Sequence, residues 1–153
     1  MNINPLSQRA PAWRYKKLGF SNLTIGGYGC TITALTCLLN YVEGKNYTPS
    51  QVNDRLKVVR AFQGALLIWS RVPLAFPSLK WVKRAYSYSN VDVAWNIYVK
   101  KMPVMVEVNG AKIGAPRHWL LFLGNQRAID PWTGQIISTS YYPATGYAVF
   151  GRK

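Results

Sequence analysis

The chain is 153 residues long and 49% hydrophobic, with ten Tyr, six Trp and five Phe, enough for one core and too short for two comfortable ones. That excludes intrinsic disorder and most multidomain architectures, and predicts a single domain over 1–153. Nineteen Lys and Arg against five acids leave a net charge of +14, which points to an anionic partner: nucleic acid, an anionic cell envelope or an acidic protein. No apolar run approaches the roughly 18 residues of a membrane helix, and residues 1–15 carry no signal-peptide stretch. The expectation is therefore a chain made in the cytoplasm, without a transmembrane segment.

In chain order, Ile25-Gly26-Gly27-Tyr28-Gly29 reads as a flexible or tight turn that delivers the chain into a helix. From Cys30 to Val42 the residues Ala34, Leu35, Leu38, Leu39 and Val42 form the stripe of a helix with one buried face, ended by Gly44. Cys37 lies on that helix beside Leu38 and reads as core. Thr48-Pro49-Ser50-Gln51 is a capping box with Pro at the first helical position, followed by Val52, Leu56 and Val59 on one face. Gly64 to Val72 is expected to be a short apolar helix stopped by Pro73. Ser89 or Asn90 caps a fourth helix in which Val91, Ala94, Trp95 and Tyr98 share a face.

After Pro103 the period changes to that of strands: Val104–Val108, His118–Leu123, Arg127–Asp130 and Gly146–Phe150, divided by turn residues. Helices first and an antiparallel sheet afterwards predict an α+β domain.

Few mechanisms can be built from the titratable residues: Glu43, Asp54, Asp92, Glu107, Asp130, His118, Cys30 and Cys37. Two cysteines and one histidine do not make a four-ligand zinc site, so no metal and no cofactor are expected. A disulfide is not expected either, since seven residues along one helix separate the thiols by about 10 Å. His118–Leu123, the turn Gly124-Asn125-Gln126 and Arg127–Asp130 read as a hairpin. Its midpoint at Gly124 sets His118 opposite Asp130, and a bulge would move that register. An imidazole held by a carboxylate has its tautomer fixed and one nitrogen left for proton transfer. Cys30 stands at a helix N-terminus, where the dipole and unpaired amides favour thiolate. Cys30, His118 and Asp130 together predict a thiol acyl-transfer site, with Trp119 and Trp132 flanking it as a substrate groove.

The blocks Gly29-Cys30-Thr31-Ile32-Thr33-Ala34-Leu35, His118-Trp119-Leu120-Leu121 and Ala128-Ile129-Asp130-Pro131-Trp132 resemble the Cys, His and Asp motifs of the double-glycine leader peptidase-like group of papain-fold cysteine peptidases, in the same order and spacing. Ser7-Gln8-Arg9-Ala10-Pro11-Ala12-Trp13 resembles that group's opening block, so the resemblance spans nearly the whole chain. Thr31-Ile32 stand where many members have Gly-Pro, and Thr24 stands where a papain-like oxyanion Gln usually lies. The resemblance implies a papain-like fold, cleavage of a peptide or amide bond without a cofactor, and Gln8 as the oxyanion-hole residue beside the Cys30 amide. It is similar to small proteins encoded by bacteriophages and bacteria.

The leading expectation is a Cys-His-Asp hydrolase acting on a bacterial cell-wall peptide, drawn to an anionic envelope by its charge and, if phage-encoded, released or carried on a virion. Two alternatives stand beside it. One is a catalytically silent papain-fold binding or virion structural protein; the other is a basic binder of nucleic acid or of a host protein.

Overall fold

Thr24 begins the helical part of the chain: its hydroxyl accepts from the Gly27 N–H at 3.1 Å and caps a single turn, α1 (Ile25–Tyr28). The computed structural model describes residues 1–153. The glycine run expected to be a plain turn is helical, and Gly29 both closes α1 and opens α2 (Cys30–Glu43). Only glycine fits at two of these positions. A Cβ at Gly26 would come within 2.8 Å of the Arg14 Cβ, and one at Gly29 within 2.5 Å of the Ile25 carbonyl oxygen. On α2, Ala34, Leu35, Leu38 and Leu39 of the expected stripe are buried and Val42 is half-buried, with Ile32 also inside and Gly44 ending the helix. Truncating one such leucine to Ala costs roughly 2–5 kcal/mol.

The capping box forms as read: Thr48 Oγ1 accepts from Gln51 N–H at 3.2 Å and Gln51 Oε1 from Thr48 N–H at 2.9 Å, opening α3 (Pro49–Val58). Val52 and Leu56 are its buried residues on the expected face.

The expectation for Gly64 to Val72 is overturned. The segment holds part of a small hairpin, β1 (Phe62–Gln63) with β2 (Leu66–Leu67), then a 3₁₀ turn over Trp69–Arg71 and a short helix, α4 (Val72–Ala75). Gly64 adopts a φ of 61°, which turns the chain, and Pro73 sits in the first turn of α4, where its missing N–H costs nothing. Pro73 therefore helps start a helix rather than stop one.

Ser89 caps α5 (Asn90–Ala94), its hydroxyl accepting from Asp92 N–H at 3.2 Å, and the chain continues through a π-helical turn at Trp95–Val99. Here too the face differs from expectation. Val93 and Ile97 pack inward, while Val91, Trp95 and Tyr98 are exposed. Both stripes have helical spacing, so periodicity alone could not choose between them.

Six strands form one antiparallel sheet in the order β3-β8-β4-β5-β6-β7: β3 (Leu79–Ala85), β4 (Val104–Gly110), β5 (Ala115–Gly124), β6 (Arg127–Asp130), β7 (Gln135–Ser138) and β8 (Ala144–Arg152). The fold is α+β, with one strand of this sheet, β3, lying beside the β1–β2 hairpin in the part of the chain read as helical. β3 and β7 are the two edges and were not foreseen. A bulge between Trp81 and Lys83 breaks the alternation of β3, and β7 is mostly exposed, so neither carries a clean period-two signal.

Period two splits the sheet's residues between two cores. Met105, Trp119, Leu121, Ile129 and Phe150 pack with α2 and α3. Val104, Val106, Leu120, Phe122 and Ala128 pack on the other side with Val93, Ile97, Tyr142 and Tyr147. No helix is long and apolar enough to cross a membrane.

The β5–β6 turn carries a testable strain. Asn125 and Gln126 hold φ of 52° and 59° between the paired Gly124 and Arg127, a turn that prefers Asn-Gly. Gln126→Gly is expected to raise stability in urea unfolding by about 0.5–1 kcal/mol, the relief of αL strain less the entropy glycine adds to the unfolded chain. A lowered midpoint would contradict it.

Candidate active site

The β5–β6 hairpin pairs Leu121 with Ile129 and Phe122 with Ala128, then Gly124 with Arg127 across the two-residue turn, with Leu123 bulged. The turn is centred between Asn125 and Gln126 rather than on Gly124, so the register runs two residues beyond the expected one. Continued, it sets Asp130 across from Leu120, not His118. A shift of two leaves both side chains on one face of the sheet, and they meet diagonally. His118 Nε2 lies 2.7 Å from Asp130 Oδ1, with both side chains 2% exposed.

Asp130 is held at both oxygens. Oδ1 accepts from His118 and from the Trp132 N–H at 2.9 Å, and Oδ2 accepts from the Tyr142 hydroxyl at 2.8 Å. Burial opposes its charge, but those three hydrogen bonds outweigh burial and hold the carboxyl below the usual carboxylate range. Tyr142 is shifted the other way, upward, by burial and by its bond to Asp130. Its ring also stands edge-on to the imidazole, with centroids 5.5 Å apart. Sequence reasoning missed Tyr142. It follows an exposed tyrosine, Tyr141, in a loop segment, and no motif or period marks it.

With Nε2 engaged by Asp130, Nδ1 is the nitrogen left to serve Cys30. Burial disfavours the imidazolium, but the Asp130 hydrogen bond and the interaction with the Cys30 side chain prevail and lift His118 from 6.5 to about 9. Cys30, Gln8, His118 and Trp132 line one cavity of about 600 Å³, with Tyr28 and Arg117 at its walls. Cys30 is the first residue of α2, where an amide N–H has no partner inside the helix. Cys37, one level deeper, is fully buried, and burial pushes its thiol up to about 12. Both thiols are free.

Gln8 reaches the site from the opposite end of the chain, and several bonds put it there. Its backbone N–H donates to the Pro131 carbonyl at 2.7 Å, the Arg9 guanidinium donates to the Trp132 carbonyl at 2.7 Å, and the Trp13 indole N–H donates to the Ser7 carbonyl at 2.8 Å. Gln8 is 1% exposed, and its Nε2 donates to the Gly26 carbonyl at 3.2 Å. A carboxamide nitrogen has two protons, so one remains for the cavity. The buried Oε1 has no partner.

The two tryptophans part company. Trp132 lines the cavity with His118, under the Arg9 guanidinium at 4.1 Å from its ring centroid. Trp119 points to the other face of β5, as alternation requires, and packs against Trp69 with centroids 5.0 Å apart. It lines a second cavity of about 410 Å³ that also reaches Cys30, with Leu67, Arg84 and Glu107. The Arg84–Glu107 ion pair there is 3.0 Å long. Cys30 and Arg117 thus line both cavities.

No family model, curated protein or solved structure matches the chain.

Because His118 is the only histidine, its titration can be followed without ambiguity. Its imidazole resonances are expected to move with a midpoint near pH 9, and in Asp130→Asn the midpoint should fall toward or below 6.5. A folded value raised above the unfolded one stabilises the protein fully below pH 6.5, and that contribution is lost as pH rises through 9. A wild-type midpoint at 6.5 would show that the carboxylate does not hold the proton.

Proposed function

We propose that the chain is a cysteine hydrolase of papain-like fold, related to the double-glycine leader peptidase-like group, that cleaves a peptide or amide bond with Cys30 as nucleophile. The observation that carries this reading is the buried His118–Asp130 pair facing a thiol at a helix start, in one cavity with the Gln8 carboxamide.

In this mechanism the Cys30 proton passes to His118 Nδ1, giving a thiolate and an imidazolium that Asp130 steadies through Nε2. The thiolate forms a bond to the substrate carbonyl carbon, and the oxyanion accepts hydrogen bonds from Gln8 Nε2 and the Cys30 N–H. His118 then returns its proton to the amine nitrogen as the C–N bond breaks, leaving a thioester. Water attacks the thioester with His118 taking its proton, and the acid product departs as the thiol re-forms. Asp130 orients the ring throughout and stays ionised. Trp132 and Trp119 form walls of the two cavities that Cys30 lines, and a peptide crossing Cys30 would pass both.

A bacterial cell-wall peptide is the substrate we favour, since a field of +14 draws the protein to an anionic envelope. Purified protein is expected to release new amine ends from peptidoglycan in preference to casein. Cys30→Ala or His118→Ala should lower that release by at least about 10³-fold, and Gln8→Ala by about 10²–10³-fold as an oxyanion donor. Iodoacetamide should label Cys30 and spare Cys37, with the Cys30 rate dropping in His118→Ala. Wild-type protein that releases nothing, or Cys30→Ala protein as active as wild type, would sink the hydrolase reading.

A further inference from the structure

At the far edge of the sheet from His118 and Asp130 lies a cavity of about 410 Å³ between β3, β8 and the π-helical turn. It shares no residue with either cavity at Cys30. Lys80, Lys83, Lys100 and Arg152 line it, against one acid, Asp92. Asp92 is already occupied: it pairs with Lys83 and accepts from the Tyr147 hydroxyl at 2.6 Å. Lys80 and Lys100 have no acidic partner within ion-pair distance. Gly151 opens the floor of the cavity to Lys80, since a Cβ there would meet the Lys80 Cε at 2.9 Å.

The same cavity holds Trp95, whose side of α5 and the π-helical turn was expected to be core and is 54% exposed. A large indole left at the surface beside unpaired cations is two recognition elements side by side. Ammonium and guanidinium groups suit phosphate oxygens, and an open indole face suits a flat aromatic ring.

We propose that this cavity binds single-stranded nucleic acid, with the backbone phosphates on Lys80, Lys100 and Arg152 and one base stacked on Trp95. Two features of the site select that ligand among anions. A polyphosphate or a phosphate-rich envelope polymer would satisfy the cations and leave the indole unused. In a duplex the base faces are already stacked, so only an unpaired strand can offer one to Trp95. The proposal does not depend on the hydrolase chemistry, because the cavity is separate from Cys30.

The test is fluorescence anisotropy of a fluorescein-labelled oligothymidylate titrated with the intact protein across a salt series. Affinity should fall as salt rises, and Lys80→Gln with Lys100→Gln should flatten the slope of log K against log salt by about 1.4, at about 0.7 for each phosphate contact. Trp95→Ala should weaken binding about tenfold, and Trp95→Phe, which keeps an aromatic face, should recover most of it. Cys30→Ser should bind as wild type does. Circular dichroism matching wild type confirms that each variant is folded. Inorganic polyphosphate or duplex DNA binding as tightly as the oligothymidylate, with Trp95→Ala without effect, would reduce the site to general polyanion attraction and overturn the proposal. So would the absence of binding at physiological salt.

Discussion

A carboxylate and an imidazole with 2% of their side-chain surface in water can stay charged together only if their polar atoms are nearly all occupied, and at Asp130 they are. Three donors converge on its two oxygens: the imidazole of β5, the N–H of Trp132 in the following turn, and the hydroxyl of Tyr142 from the loop before β8. Removing one partner from a buried pair of this kind costs about 3–5 kcal/mol, because the other charge is left uncompensated. The pair therefore acts as a structural tie between β5, β6 and the β7–β8 loop. It also fixes which imidazole nitrogen faces Cys30.

The N-terminal segment depends on the same turn. Gln8 is bonded through its backbone to Pro131, the residue after Asp130, and through its side chain to Gly26, four residues before Cys30. One residue thus spans from the strand that carries the acid to the segment that carries the thiol. Gly26 must lack a Cβ for this, since Arg14 lies against it. A Gln some 22 positions before the Cys in sequence can in this way stand at the helix start, which spacing along the chain would not predict.

The legible parts of the sequence were those in which one residue type has one strong local reason. The Thr48–Gln51 capping box, the Leu35–Leu38–Leu39 stripe and the runs Val104–Val108 and His118–Leu123 all form elements where they were expected. The His118–Asp130 meeting was legible for a subtler reason. The counted register was wrong by two residues, but an even error preserves the face, and the long imidazole reaches the diagonal neighbour. An error of one would have put the two on opposite faces. What could not be read was anything decided by the partner element. Val93 and Ile97 face the sheet rather than Val91 and Trp95, β3 is an edge strand with a bulge, and Tyr142 finds Asp130 across a loop.

Charge is arranged by the same logic of occupied and unoccupied partners. Four of the five acids are committed within the molecule: Glu43 to Lys45, Tyr47 and Ser78, Asp92 to Lys83 and Tyr147, Glu107 to Arg84, and Asp130 to His118 and Tyr142. Only Asp54 stands exposed without such a partner. The acids thus serve as internal fasteners, and most of the excess of cations is left with nothing in the chain to neutralise it. Self-repulsion from such an excess destabilises a compact state. Cores on both faces of the sheet and the Asp130 tie offset that cost. With the acids held inside the molecule, most cations stand without an acidic partner, and the β3–β8 cavity gathers three such groups, Lys80, Lys100 and Arg152, around one exposed indole.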